Sequence, residues 1–232
     1  MNYFAIIILR EDTNMERIVV AIDGPAGAGK STISKIIAQR LNLKYIDTGA
    51  MYRAVTLKAI KNNLDLCNNN EISHMVKNSN ISINDEKIFI DEIDVTEEIR
   101  MPYVNEKVSI VSAMPGVREV LKEKQRKMAE NFNVIMDGRD IGTNVLKDAN
   151  IKIFLTASVE ERAKRRYKEM IEKGISTTFE DVFKDIENRD KIDSSRKANP
   201  LKKADDAVML DTTGMKMNEV VDAIIKIIQD RM

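Results

Sequence analysis

The chain has 232 residues, of which 43% are hydrophobic and 32% are charged, so it is long enough to bury the core of one domain. Its 37 basic and 37 acidic side chains cancel, which leaves no long-range positive field to attract a nucleic-acid backbone. The single cysteine, Cys67, can form neither an internal disulfide nor a metal site, and this favours a reducing, cytoplasmic location. We therefore expect no nucleic-acid partner, and we expect any anion site to be assembled locally by folding.

The beginning of the chain carries no recognisable targeting signal. The apolar run from Phe4 to Leu9 is too short to cross a bilayer, and it lacks the flanks of a signal peptide. Because Met15 stands just before the first predicted strand, residues 1–14 are interpreted as a disordered leader or an upstream start-codon misassignment. The sequence thus predicts no membrane partner and a single domain over residues 1–232.

Strand and helix patterns alternate along the chain. Arg17 to Ile22 is a β-branched run that leads into a Gly-Pro pair, as a buried parallel strand does. From Lys30 to Leu41, apolar residues recur at steps of three and four, which predicts a helix packed on a sheet. Further strand-like runs lie at 43–46, 134–136, 151–155 and 207–210, and a last helix covers 217–228. This alternation predicts an α/β fold of three layers with a five-stranded parallel sheet.

The second and third predicted strands are separated by far more residues than an ordinary crossover needs, which indicates an insert at about residues 64–104. Within it, isoleucines alternate with polar residues on either side of Asn84-Asp85-Glu86. This pattern predicts a small antiparallel hairpin over residues 81–90.

Residues 24–31 read Gly-Pro-Ala-Gly-Ala-Gly-Lys-Ser and satisfy the phosphate-loop pattern G-x-x-x-x-G-K-[ST] between a predicted strand and a predicted helix. The glycines let the backbone wrap around phosphate oxygens, and the helix N-terminus adds unpaired N–H groups. Lys30 adds a positive charge, and Ser31 offers a hydroxyl to Mg²⁺. The motif predicts ATP contacts at Gly24, Pro25, Ala26, Gly27, Ala28, Gly29, Lys30, Ser31 and Thr32.

The phosphate loop alone does not choose a reaction. No N-K-x-D tetrapeptide occurs, which disfavours a GTPase. Asp137 follows the predicted strand 134–136, where it either holds a metal-bound water or simply caps a turn. The only histidine, His74, lies in a polar stretch, so acid–base chemistry built on histidine is not expected. Phosphoryl transfer, which needs mainly positioning and positive charge, is favoured.

Arginines supply that positive charge. If the acceptor is itself a phosphate, unit charges about 5 Å apart repel by about 3 kcal/mol at an effective dielectric of about 20, so several guanidiniums are needed. The guanidinium fork suits phosphate oxygens. The candidates are Arg53, Arg118, Arg139, Arg189 and Arg196.

A second basic group, Arg162, Arg165 and Arg166, lies on a helix that the pattern Ser158…Glu161 predicts to open with a capping box. Glu161 and Arg165 are four residues apart and could simply pair on an exposed face. Alternatively, the helix ends near Gly174 and forms part of a lid, at about residues 162–180, that closes over ATP and expels water. The sequence leaves both readings open.

Several segments, taken in order, resemble the bacterial cytidylate kinase family, the CMP and dCMP kinases among P-loop nucleoside monophosphate kinases. The resemblance spans about residues 17–232. It rests on IDGPAGAGKST at 22–32, DTGAMYR at 47–53, EIR at 98–100, PGVRE at 115–119, DGRDIGT at 137–143, KIFLTAS at 152–158, ERAKRR at 161–166 and RDKIDSSR at 189–196. The resemblance implies a five-stranded core, a helical lid and an enlarged monophosphate-binding insert.

The family pattern, carried onto matching positions, implies roles for single residues. Contacts to the acceptor phosphate fall on Thr48, Arg53, Arg139 and Arg196; contacts to cytosine on Ser109, Arg118 and Asp140; and contacts to the sugar on Arg189 and Asp193. Among the basic residues, Lys30, Arg139, Arg165 and Arg196 are expected to act in catalysis, with Arg162 and Arg166 on ATP. Cytosine presents an amine donor where uracil presents a carbonyl, so a carboxylate acceptor such as Asp140 favours CMP.

These observations lead to the expectation of a monomeric kinase that uses ATP and Mg²⁺ to convert CMP or dCMP into the diphosphate by direct in-line transfer. One alternative is a P-loop kinase of another small acceptor, such as UMP or a metabolite. The other is a nucleotide-sensing module without turnover.

Overall fold

The computed structural model describes residues 17–84 and 86–232 of the chain. The predicted leader at residues 1–14 and the central turn residue Asp85 therefore lie outside the described residues. The order of secondary-structure elements confirms the predicted alternation of strands and helices.

Five strands form one parallel sheet. In spatial order they are Lys44–Asp47 (β2), Val134–Gly138 (β6), Val19–Asp23 (β1), Ile151–Thr156 (β7) and Val208–Asp211 (β8), numbered by their place in the chain. β1 and β6 are buried at every position, as the apolar run of a central parallel strand predicts. β1 extends one residue beyond its predicted end because Asp23 still pairs with Gly138. The prediction of a five-stranded parallel sheet is confirmed.

The helices of the described chain connect or cover these strands. Their bounds are Lys30–Leu41 (α1), Thr48–Lys61 (α2), Asn69–Lys77 (α3), Pro102–Asn105 (α4), Val108–Ser112 (α5), Pro115–Ala129 (α6), Val159–Glu172 (α7), Phe179–Ser195 (α8) and Met217–Asp230 (α9). A 3₁₀ turn spans Glu98–Arg100, and a π turn spans Ile141–Val145. None of these helices combines the length and apolarity needed to span a lipid bilayer.

The parallel sheet carries an apolar core on each of its two faces, and helices cover both cores, which gives three layers. On one face of the sheet, Ile33 and Ile37 of α1 pack with Ile224 and Ile228 of α9. On the other face, α2 and α6 pack with the insert, and Met51 and Leu121 are fully buried there. The period of three and four in α1 places its isoleucines on the sheet, as predicted.

The insert contains a second, antiparallel sheet of three strands. These are β3 (Ile81–Asn84), β4 (Lys87–Ile90) and β5 (Ile93–Asp94), with Ile83 opposite Ile88 across the first pair. The hairpin is confirmed, and β5 extends it because Asp91 and Glu92 adopt positive φ and turn the chain back.

α7 and α8 form a third small core of their own around Ala163, Val182 and Ile186. Phe179 stacks edge-on against Tyr167 in this core, with ring centroids 6.2 Å apart. Gly174 follows α7 at φ 71, a conformation in which a side chain would be strained, and the two helices are thus joined by a turn.

Candidate active site

The phosphate loop occupies the turn between β1 and α1, at the carboxyl edge of the central strand. Gly27 and Gly29 adopt φ of 73 and 84, and a Cβ at Gly24 would lie 1.9 Å from the carbonyl oxygen of Leu155. These positions therefore require glycine. α1 begins at Lys30 after Gly29, which gives the helix no side-chain cap. The first N–H groups of α1 thus remain available to an anion.

Lys30 is 5% exposed and folds back onto the loop, where its Nζ donates to the carbonyl oxygens of Gly24, 2.8 Å away, and Pro25, 2.9 Å away. Burial lowers the pKa of Lys30, and the positive charge of Arg139 is the next largest cause of the decrease. Lys30 therefore lies in the field of an arginine that is more than a hundred residues away in sequence.

Asp137 lies within β6, and its carboxylate accepts from two side chains rather than from a turn. The Oγ of Ser31 donates to Oδ2 at 2.9 Å, and the hydroxyl of Tyr45 donates to Oδ1 at 2.8 Å. Burial raises the pKa of Asp137, and the negative charge of Asp47 is the next largest cause of the increase. Tyr45 was not singled out in the sequence, where it reads only as an aromatic residue in a short strand.

These oxygens fit a magnesium ion. Mg²⁺ prefers hard oxygen ligands and is held by one or two protein groups together with nucleotide phosphates. A hydroxyl and a carboxylate 2.9 Å apart, beside the open N-terminus of α1, provide that donor set.

A second group of charges surrounds Asp193, near the carboxyl end of α8. The Nε of Arg139 lies 2.8 Å from its Oδ2, and the NH2 nitrogen of Arg196 lies 3.1 Å from its Oδ1, although that second contact lacks hydrogen-bond geometry. Burial alone would raise the pKa of Asp193, but Arg139 and Arg196 outweigh it and hold that pKa below its ordinary value.

Arg53 and Arg189 belong to the same positive field. Burial, and then the charges of Arg139 and Arg53, lowers the pKa of Arg189 to about 10. Burial also lowers the pKa of Arg53, and Arg100 and Arg139 add to the effect. These arginines stay protonated at neutral pH, so the structure gathers several positive charges around one carboxylate.

Thr48 opens α2 beside this cluster, and its hydroxyl donates to the carbonyl oxygen of Asp137 at 2.7 Å. The Nε of Arg53, one turn further along α2, donates to Asn105 at 3.0 Å. A phosphate contact from the Thr48 hydroxyl therefore requires its proton to rotate away from Asp137.

Arg118 and Asp140 form a buried pair on the insert side of the cluster. The NH2 nitrogen of Arg118 lies 2.6 Å from Oδ2 of Asp140, and its NH1 donates to the carbonyl oxygen of Ser112 at 3.0 Å. The side chain of Asn144 also donates to Oδ2 of Asp140, at 2.9 Å. The contacts of Arg118 and Asn144 with Asp140 therefore fall on the same oxygen, Oδ2, and Oδ1 accepts no hydrogen bond from the residues that the structure describes.

Two guanidinium donors in this region are buried without a partner among the described residues: the Nε of Arg118 and the NH2 of Arg196. Buried polar groups are rarely left unpaired, and exceptions often mark a site. Ser109, the third predicted base contact, is half-buried on the short helix α5, whose C-terminal Ser112 contacts Arg118.

The arginines of α7 take different positions from one another. Arg162 is 4% exposed; it donates to the carbonyl oxygen of Ala26 at 2.9 Å and pairs with Asp190 of α8 at 2.6 Å. The backbone N–H of Ala26 in turn donates to Asp190, at 3.3 Å. Arg162 and Asp190 thus brace the phosphate loop from the side, and the predicted ATP contact of Arg162 stays a prediction. Asp190 lies within the segment at 189–196 that carries the family resemblance, but the sequence analysis assigned it no role.

Arg165 and Arg166 point elsewhere. Arg165 donates to the carbonyl oxygen of Thr212 at 3.0 Å, and Arg166 pairs with Glu169 at 2.9 Å. Of the two alternatives left open by the sequence, the Glu161–Arg165 pair does not form among the described residues, because Thr212 of the neighbouring loop contacts the guanidinium of Arg165.

The predicted capping box at the start of α7 is half correct. The Oγ of Ser158 accepts from the N–H of Glu161 at 3.2 Å, as a capping residue does. The N–H of Ser158 donates to Thr213 at 2.9 Å rather than to Glu161. The reciprocal bond is replaced because a loop residue brought close by the fold competes for that N–H.

Comparison with known proteins gives a consistent result. The sequence profile of a family described as Cytidylate kinase matches residues 20–230. The cytidylate kinase of Clostridium botulinum strain Langeland is 53% identical over 215 residues, which cover 93% of this chain and 99% of that protein. The cytidylate kinase of Alkaliphilus oremlandii is 54% identical, with the same coverage of both chains.

Among solved structures, an uncharacterized protein from Eubacterium ventriosum aligns with a TM-score of 0.52 at 17% identity, over 93% of this chain and 100% of that one. At this identity the likeness concerns the fold alone.

Proposed function

Because the chain belongs to the cytidylate kinase family, we propose that it transfers the γ-phosphoryl group of ATP to CMP or dCMP and releases ADP with CDP or dCDP. The observation that carries the proposal is the adjacency of two anion sites. One is the uncapped N-terminus of α1 with Lys30, and the other is the arginine cluster around Asp193. They lie side by side because Asp23, which precedes the phosphate loop, pairs with Gly138, which precedes Arg139.

The proposed reaction is a single in-line displacement. An oxygen of the CMP phosphate forms a bond to the γ-phosphorus of ATP while the bond from that phosphorus to the bridging oxygen of ADP breaks. No covalent enzyme intermediate and no histidine are required. The protein contributes position and positive charge, which in this site come from arginine and lysine.

The phosphate loop is proposed to bind ATP. Backbone N–H groups at 24–32 surround the phosphates, and Lys30 moves its Nζ from the loop carbonyls to phosphate oxygens. Ser31 and Asp137 are proposed to hold Mg²⁺, Asp137 through water, and Tyr45 orients Asp137. When bound there, the ion would neutralise part of the charge of the ATP phosphates.

The acceptor phosphate is proposed to bind among Thr48, Arg53, Arg139 and Arg196, and the sugar beside Arg189 and Asp193. In the described structure Asp193 supplies the counter-charge for Arg139 and Arg196. The phosphate dianion of CMP would share Arg139 and Arg196 with Asp193 as a second counter-charge. The acceptor would then lie in the positive electrostatic field to which Lys30 also contributes.

Cytosine is proposed to bind at Arg118, Asp140 and Ser109. Within the described part of the chain, Oδ1 of Asp140 and Nε of Arg118 make no hydrogen bond. Oδ1 suits the amine at cytosine N4, and Nε suits an acceptor on the ring. Uracil places a carbonyl where the amine would be, so it leaves a buried carboxylate facing an acceptor. A site of this kind discriminates by up to ~10⁴.

The helices around Gly174 are proposed to act as a lid at about residues 162–180, and residues 64–104 as the monophosphate-binding insert. Support for the lid is the separate core around Ala163 and Val182, which packs α7 and α8 against each other rather than against the sheet. Arg165 and Arg166 are proposed to turn from Thr212 and Glu169 to ATP on closure, while Arg162 braces the loop.

We also propose that the protein is a monomer and is located in the cytoplasm, where a single cysteine, Cys67, stays reduced. The test of the function is an ADP-release assay with ATP, Mg²⁺ and each of CMP, dCMP, UMP, AMP and GMP. We expect turnover with CMP and dCMP and much lower kcat/KM with UMP. Turnover with UMP, AMP or GMP but not with CMP would overturn the assignment of CMP as the acceptor. If none of the five nucleotides led to ADP release, the chain would be a nucleotide-binding protein without kinase activity.

A further inference from the structure

Asp23, the last residue of β1, makes two hydrogen bonds that connect the ATP side of the site to the CMP side. Its side chain is buried, and its neighbour in sequence is Gly24, the first residue of the phosphate loop. The N–H of Ile141 donates to Oδ1 at 2.7 Å, and the N–H of Gly142 donates to Oδ2 at 2.8 Å. One carboxylate thus holds two consecutive N–H groups of a distant segment.

Those N–H groups open the π turn Ile141–Val145, and the preceding residue, Asp140, makes no side-chain cap to it. Asp140 directs its Oδ2 to Arg118 and Asn144 instead. Asp23 therefore caps the turn from the neighbouring strand, and this leaves Asp140 available for the base site.

The segment between the two anchors is short and tightly packed. Before Arg139, the strand pairing sets Gly138 beside Asp23, and a Cβ at Gly138 would lie 2.6 Å from Thr48 Oγ1. After Asp140, the two bonds to Asp23 hold the backbone again. Arg139 and Asp140 thus lie between two contacts with the same residue of β1.

We infer that Asp23 is a positioning residue, which fixes the backbone of Arg139 and Asp140 against the strand that leads into the phosphate loop. It touches neither nucleotide; it sets the distance between the acceptor site and the ATP site. This inference rests on the proposed function. A shift of about 1 Å in a reacting group can cost ~10²-fold in rate, so loss of this anchor has a measurable effect.

Asp23→Asn tests the inference with little change of shape. The amide keeps one acceptor oxygen but places an NH₂ group against a backbone N–H, so one of the two bonds becomes repulsive. We expect the KM for CMP to rise about 10-fold and kcat to fall, while the KM for ATP changes less than about 3-fold. Titration calorimetry with CMP alone should show the same loss of affinity.

Asn150→Ala is the matched control because Asn150 holds the other end of the same strand. Its side chain accepts from the N–H of Val19 at 2.8 Å and donates to the carbonyl oxygen of Arg17 at 2.8 Å. We expect this variant to lower the Tm without a selective change in the KM for CMP. If Asp23→Asn leaves the KM for CMP unchanged, or raises both KM values equally, the positioning role is excluded.

Asp23→Glu provides a second test if Asp23→Asn does not fold. It keeps the charge and both acceptor oxygens but places them one methylene further from the strand, so the N–H groups of Ile141 and Gly142 cannot keep their present positions. We expect a smaller, again CMP-selective rise in KM, and an unchanged KM would contradict the inference. If the native chain itself does not phosphorylate CMP, the proposed function fails; if it does and the variants lack selectivity, only the role of Asp23 fails.

Discussion

Arg118 and Asp140 are bound to each other in the interior of the protein, with 2.6 Å between the NH2 nitrogen of one and Oδ2 of the other, and each side chain is less than a tenth exposed. Two residues 22 positions apart in sequence thereby form a recognition surface that neither makes alone. A buried ion pair is tolerated only when both charges are paired, so each residue constrains the other.

Asp140→Asn tests this pair. The amide leaves the guanidinium of Arg118 buried without its counter-charge, and we expect the free energy of unfolding to fall by about 3 kcal/mol. It also presents a different hydrogen-bonding edge to the base, so kcat/KM for CMP should fall at least ~100-fold and the preference over UMP should shrink. Urea denaturation and steady-state kinetics with both nucleotides measure these effects.

Glu119→Gln is the control for Asp140→Asn, because Glu119 makes an exposed pair with Lys122 on the same helix as Arg118. We expect little change in stability or in kcat/KM. Unchanged CMP preference in Asp140→Asn would show that the base is read elsewhere.

Lys30→Ala removes the charge of the phosphate loop. We expect kcat to fall about 10³-fold, because the lysine stabilises charge that develops on the transferred phosphoryl group, and we expect circular dichroism to show an intact fold. Arg40→Ala is the matched control, since Arg40 lies on the same helix in an exposed pair with Asp222. Native-like turnover in Lys30→Ala would refute the assignment of the ATP site.

Asp193→Ala removes the shared counter-charge of Arg139 and Arg196. Without nucleotide, we expect a lower Tm because the two guanidiniums repel each other. Bound CMP restores a negative charge, so saturating CMP should raise the Tm more in this variant than in the native chain, whereas cytidine, which has no phosphate, should not. Equal gains from CMP and cytidine would contradict a phosphate site at these arginines.

The pH dependence of stability tests the environment of Asp23. Burial raises its pKa from 3.8 to about 6; the N–H groups of Gly142 and Ile141 oppose the rise, the charge of Asp140 adds to it, and the charge of Lys30 opposes it. Between about pH 4 and about pH 6, the folded state binds more protons at Asp23 than the unfolded state does. The protonation of Asp23 therefore stabilises the fold fully below about pH 4, and this stabilisation is lost as the pH rises through about 6.

The loss amounts to about 3 kcal/mol, from a shift of about two pKa units. Asp23→Asn cannot titrate, so from about pH 4 to about pH 7 its free energy of unfolding, measured with urea, should gain about 3 kcal/mol relative to the native chain. Asn150→Ala should follow the native pH profile. Parallel profiles for Asp23→Asn and the native chain would contradict a raised pKa.

Local sequence determined much of the fold. The isoleucine spacing of α1 and the apolar runs of β1 and β6 predicted their elements to within one or two residues, because hydrophobic period depends on near neighbours alone. The phosphate loop was equally legible, since its glycine positions are set by backbone geometry within one turn. By contrast, β5 is only two residues long and carried no pattern.

The partners of the charged residues could not be predicted in this way. Arg165 contacts Thr212 instead of Glu161, and Tyr45 contacts Asp137 across the sheet, because residues far apart in sequence compete for the same polar atoms. Hydrogen bonds depend on tenths of an ångström, whereas the hydrophobic pattern specifies only which face is buried.

By itself, then, the sequence determined the parallel sheet, the phosphate loop at 24–31 and the choice of basic residues as candidates for the site. Each of these follows from the order of side chains along a short segment. Only the tertiary structure decided that Asp23 caps the turn after Asp140, and that Arg139 and Arg196 share Asp193. The physical reason is that electrostatic and hydrogen-bonding contacts act through space, so the site's charges acquire their partners only when the strand ends meet at one edge of the sheet.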